Sequence, residues 1–94
     1  MSADNCIGIL KTKRGNGFEY RVAHQMAIEN YQWDDEIEDY TNDPKVQIKN
    51  AREIWKDCKV IIDITQAFQE ALSQLQKIGY VEYGIQEVFI DAEF

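Results

Sequence analysis

Lys13-Arg14-Gly15-Asn16-Gly17-Phe18-Glu19-Tyr20-Arg21-Val22 is the stretch on which the fold turns. Its Asn-Gly pair favours the positive backbone angles of a tight hairpin turn. Past the turn, Phe18, Tyr20, Val22, His24, Met26 and Ile28 alternate with Glu19, Arg21, Ala23, Gln25, Ala27 and Glu29. That is the period of a long, half-buried strand. Ile7 to Lys13 supplies the first arm, an apolar start that turns polar. A turn at residues 14–17 sets Lys13 opposite Phe18 and Ile7 opposite His24. Ala23 to Asn30, at the far end of the second arm, also admits a helical turn.

Downstream, Asp43-Pro44 reads as N-cap and first helical position, with Ile48, Ala51, Ile54, Trp55 and Cys58 on one side of a helix over residues 44–57. Val60-Ile61-Ile62, within Lys59 to Asp63, is a β-branched run suited to a strand covered on both faces or central in the sheet. Asp63 or Thr65 caps the next helix, where Ile64, Ala67, Phe68, Ala71, Leu72, Leu75 and Ile78 recur at helical spacing before Gly79. Val81, Tyr83 and Ile85 then alternate up to Val88-Phe89-Ile90, a closing strand with a bulge. The order is β-β-α-β-α-β. Each helix has one apolar stripe, which predicts a two-layer α+β domain over residues 1–94, a four-stranded sheet with both helices on one face.

A chain of 94 residues with 45% apolar and 12% aromatic content suits one domain with a modest core. Cys6 and Cys58 form neither a disulfide framework nor a metal pattern, so reduced thiols are expected. The N-terminal residues lack a secretory pattern, and no window approaches the roughly 18 apolar residues of a membrane span. A cytoplasmic protein is expected, away from the membrane.

Glu29, Asp34, Asp35, Glu36, Glu38, Asp39 and Asp43 fall in one stretch with no Lys or Arg, and the rest of the chain balances ten acids against ten bases. This stretch therefore accounts for the whole net charge of -7. Its field attracts cations and basic protein surfaces and repels phosphate, which argues against direct nucleic-acid binding. Acids and aromatics interleave from Tyr31 to Asn42 without clear period, as in a surface loop.

The blocks Gly8-Ile9-Leu10, Tyr20-Arg21-Val22-Ala23-His24 with Ala27-Ile28 and Asn30, and Glu82-Tyr83-Gly84-Ile85 resemble small uncharacterised proteins of tailed bacteriophages and prophages. The resemblance covers the first and last thirds of the chain. It implies an accessory protein acting in a bacterial host cell, where short phage genes bind and block host machinery, and it is silent on chemistry.

The acidic stretch is the leading candidate site. Trp33, Asp34, Asp35, Glu36, Glu38, Asp39 and Tyr40 would bind a host protein with a basic, nucleic-acid-binding surface, the acids steering and the aromatics burying area. If the segment coils, Asp34, Asp35, Glu38 and Asp39 share a helical face at about 5 to 6 Å, close to the phosphate repeat, in the manner of a DNA mimic. The bland counterpart is a solvated loop that only confers solubility.

One rival is a homodimer or larger homo-oligomer built on a sheet edge or on exposed aromatics. The other is a ligand- or nucleotide-sequestering protein using Tyr20, Arg21 and His24. No cofactor is implied. An EF-hand loop counted from Asp34 fails at its sixth and twelfth positions, which hold Asp39 and Lys45. Cys6 and His24 are the one nucleophile-like pair, yet no orienting group or oxyanion site accompanies them, so no enzyme is expected.

Overall fold

The computed structural model describes residues 5–26 and 32–94. The hairpin forms in the predicted register, but its positive φ falls at Gly15 and not at the Asn16-Gly17 pair, because Gly15 and Asn16 are the turn residues. Strand β1 (Asn5–Arg14) turns at Gly15, whose φ is +55°, into β2 (Gly17–Met26). The arms pair antiparallel, with Lys13 opposite Phe18 and Ile7 opposite His24. Of the alternative helical turn at Ala23 to Asn30, residues 23–26 are strand instead, and Ala27 to Asn30 lies outside the described residues. The closing strand, β5 (Ile85–Glu93), runs parallel to β1 on its other side, giving the order β2-β1-β5 with a register shift between Thr12 and Lys13. It begins later than the alternation suggested, because Gly84 adopts φ +62° after a turn at residues 82–83.

Helix α1 (Pro44–Trp55) starts on Asp43, whose side chain accepts from the Lys45 N–H. Helix α2 (Ile64–Ile78) starts on Asp63, which accepts from the Thr65 N–H, and stops at Gly79 with φ +95°. Both caps satisfy amides that the first helical turn leaves without partners. The expected extent of α1 is two residues too long, because Lys56 and Asp57 form a turn.

Two expectations fail together. The chain builds a mixed three-stranded sheet plus a separate two-stranded one, where a single four-stranded sheet was predicted. Val60-Ile61-Ile62 contributes one bridge: Tyr20 donates to Ile61 O at 2.7 Å and Ile61 donates to Tyr20 O at 2.9 Å. Ile61 is 6% exposed but Ile62 is 58% exposed, so the run brushes the outer edge of β2 and does not enter the sheet. In rounding that edge the chain crosses from one face of the sheet to the other, and the helices end on opposite faces.

The faces are fixed by the alternation of β1. Ile7 and Ile9 pack with Val22, Ile61, Ala67 and Ala71 beneath α2. Leu10 packs with Ala51, Trp55 and Ile90 beneath α1. The central strand is therefore β1, buried at every residue from Cys6 to Leu10. Gly8 is its notch: the Trp55 ring lies so close that a Cβ on Gly8 would sit 3.0 Å from Cζ2, while Trp55 Nε1 donates to Gly8 O at 3.2 Å.

Candidate functional site

The acidic stretch folds as a hairpin. Strand β3 (Gln32–Asp34) pairs antiparallel with β4 (Asp39–Thr41), with Trp33 opposite Tyr40 and Asp34 opposite Asp39. The rings meet edge to face, centroids 5.4 Å apart and planes at 77°, a favourable aromatic geometry. This contact explains how a segment with like charges directly opposite each other holds a ladder. Local hydrogen bonds assist it: Trp33 Nε1 donates to Asp35 Oδ1 at 2.8 Å, and the Glu36 N–H donates to Asp34 Oδ1 at 2.9 Å. Glu38 closes the turn at φ +51°, a left-handed conformation costly for a residue with a Cβ.

The result is an exposed acidic finger. Asp35, Glu36, Glu38 and Asp39 are exposed and Asp34 is partly so, Ile37 stands exposed in the turn, and Tyr40 is 61% exposed. The aromatic pair packs on itself and leaves much of both rings in water. The segment is neither the irregular loop nor the coil of the sequence reading. Because Asp34, Asp35, Glu38 and Asp39 sit on two strands and a turn, they do not form a helical row at phosphate spacing. Glu29 and Tyr31 lie outside the described residues.

Tyr20, Arg21 and His24 are not brought together. Tyr20 is buried under α2 and bridges Ile61 through its backbone. Arg21 projects from the other face, where it donates to Glu19 Oε1 at 2.9 Å and lies 4.4 Å above the Phe94 ring. His24 is exposed on the Tyr20 side. A crevice of about 420 Å³ does flank the β2 edge, lined by Lys59, Ile61, Gln66, Gln69 and Glu70. One cation facing one carboxylate, with no aromatic ring, is poor chemistry for a nucleotide.

Cys6 and His24 also part company, since their strands' alternation sends them to opposite faces of the sheet. Cys6 is buried and Cys58 half-buried, and neither is in a disulfide. Burial pushes the Cys58 thiol above its ordinary pKa, against a smaller opposing pull from the Arg21 guanidinium. That favours the protonated thiol, not a nucleophilic thiolate. Among the described residues no group of three His, Cys, Asp or Glu side chains could hold a metal ion, and no helix is long and apolar enough to cross a membrane.

Sequence reasoning missed the open edge of β5 and the aromatic contact across β1, where Phe89 stacks edge to face on Phe18 at 5.8 Å and Lys11 Nζ lies 4.1 Å from the Phe18 centroid. The signal was present in the alternation of Val88, Ile90 and Ala92, on the face under α1, with Glu87, Phe89 and Asp91 on the other. Comparison with protein-family models, curated proteins and solved structures returns no match for the chain.

Proposed function

We propose that the protein works without catalysis, as a binding module whose acidic hairpin docks on a basic, nucleic-acid-binding surface of another protein and inhibits or modulates it by occupying that surface. The observation that carries this reading is the exposed Trp33–Tyr40 pair set in a hairpin bare of Lys and Arg. Asp34, Asp35, Glu36, Glu38 and Asp39 steer the encounter over a Debye length of about 8 Å at physiological salt. Trp33, Tyr40 and Ile37 supply the apolar area that an interface centre needs. Competition with nucleic acid rests here on charge and not on a helical replica of the phosphate row. The likeness to phage proteins favours the cytoplasm of a bacterial host as the setting and a phage-type anti-restriction or anti-defence role.

The test is retention from bacterial lysate on the tagged protein, at low and at moderate salt, beside a variant with Asp34, Asp35, Glu36, Glu38 and Asp39 changed to Asn or Gln. A nucleic-acid-binding protein held by the native chain, weakened by salt and lost with the variant, is the expected result. Equal retention by both chains would leave the hairpin a solubilising surface.

A further inference from the structure

We propose that the outer edge of β5 is a second docking site, which takes an extended segment of a partner protein as an added strand, with a basic side chain opposite Glu87 and an apolar one opposite Phe89.

The backbone supplies the first argument. The Ile7 N–H donates to Gly84 O at 2.8 Å, and the parallel ladder continues from there in steps of two. The even-numbered residues of β5 therefore bond to β1, while the N–H and C=O groups of Ile85, Glu87 and Phe89 point away from it. Among the described residues no strand pairs with that side.

Shape supplies the second. Gln74 Nε2 donates to Val22 O at 3.3 Å, which anchors one flank of α2 at the β2 edge. Helix α2 packs chiefly on β2 and β1. Phe68 and Leu72, one turn apart on the flank of α2 away from Glu70, are exposed. Phe89, 49% exposed, stands on the same face of the sheet as α2. A strand added to β5 thus meets the exposed Phe89 ring on its α2 side and open amides along its length, the arrangement that strand-addition complexes use.

Charge identifies the occupant. From Ile85 to Glu93 the strand carries Glu87, Asp91 and Glu93 and no base. Asp91 is already paired with Lys13 Nζ at 2.6 Å, whereas Glu87 has no ion pair among the described residues. A second copy is a poorer guest: antiparallel pairing about Phe89 sets Glu87 against Asp91 of the other copy, pairing about Glu87 sets that residue against itself, and pairing about Val88 sets Glu87 against Phe89, which offers it no opposite charge. A segment with Lys or Arg opposite Glu87 reverses the sign. This edge shares no residue with the acidic hairpin, so neither site depends on the other.

The probe is an acetylated, amidated peptide with a Lys-Thr-Val-Thr-Lys core, read by amide hydrogen exchange of the full chain. At ten times the dissociation constant the Glu87 and Phe89 amides should slow about tenfold, while a Glu-Thr-Val-Thr-Glu peptide leaves them unchanged. Methylating alternate peptide nitrogens should abolish the protection although the charge is kept. Glu87→Lys should exchange the preference of the two peptides without altering the folded spectrum. Unchanged exchange at Glu87 and Phe89 with the Lys peptide overturns the proposal. So does protection confined to residues 33–40, or protection that grows with protein concentration in the absence of peptide, which would make the occupant the hairpin's ligand or a second copy.

Discussion

Along the outer edge of β2, Tyr20 exchanges two backbone hydrogen bonds with Ile61, and Val22 O accepts from Gln74, itself oriented by a 3.1 Å bond to Glu70. Along the outer edge of β5, Ile85, Glu87 and Phe89 turn the same groups toward solvent. One edge has been closed by the chain's own crossing from α1 to α2. The other, among the described residues, is left unpaired and carries carboxylates, a device that discourages pairing with identical edges. The difference shows that covering an edge and charging an edge are separate solutions.

Ile61→Ala is the strongest way to break this comparison. Ile61 is buried among Tyr20, Val22, Ala67 and Ala71, so its loss should cost about 2 to 5 kcal/mol by denaturant unfolding. A cost near zero would mean that the β2 edge is no better covered than the β5 edge. A pair of prolines sharpens it. Val88→Pro removes an N–H that bonds β1 and should destabilise by about 3 kcal/mol or more, as proline does wherever it breaks a ladder or helix bond. Glu87→Pro removes an N–H that faces solvent and should be far milder, as on edge strands generally. Equal losses would show that β5 is not an edge.

Much of this was legible in sequence, for reasons that differ from element to element. The hairpin register followed from the turn at residues 14–17 and the alternation after it, because a tight turn leaves one pairing, although Gly15 supplies the positive φ expected of Asn16-Gly17. Both helices followed from Asp43, Asp63 and Gly79, whose side chains or backbone freedom act locally. The sheet did not. Val60-Ile61-Ile62 and Ile7-Gly8-Ile9-Leu10 are both apolar runs, and β propensity cannot tell which becomes the central strand. Tertiary packing decided it, through a glycine that seats Trp55 on one face and isoleucines that seat Ala67 and Ala71 on the other. The acidic segment was read correctly as surface, but the cross-strand contact of Trp33 with Tyr40, seven residues apart, carries no local signal strong enough to announce a hairpin.

Smaller effects test the closed edge further. Gln74→Ala removes the hydrogen bond to Val22 O and should cost about 1 kcal/mol in thermal unfolding, with faster exchange of the neighbouring edge amides. The smallest effect is expected at Cys58, in the crossing segment. Its folded pKa is raised, so the stability tied to the protonated thiol is fully present below about pH 9 and is lost as pH rises through the folded value. The stability of the native chain relative to Cys58→Ala should therefore be flat at neutral pH and decline on the alkaline side. A difference that stays constant on the alkaline side would mean that burial does not hold the Cys58 thiol protonated.

Two tryptophans stand in opposite surroundings: Trp55, 3% exposed, is wedged on Gly8, and Trp33, 47% exposed, crowns the acidic hairpin. The unlabelled chain thus carries two fluorophores that a dissolved quencher reaches to very different extents. Iodide, being an anion, is held off Trp33 by the surrounding carboxylates, whereas caesium is drawn to it. The ratio of their quenching constants reads the local potential of the hairpin directly, and acrylamide access to Trp55 reports independently whether the core has opened.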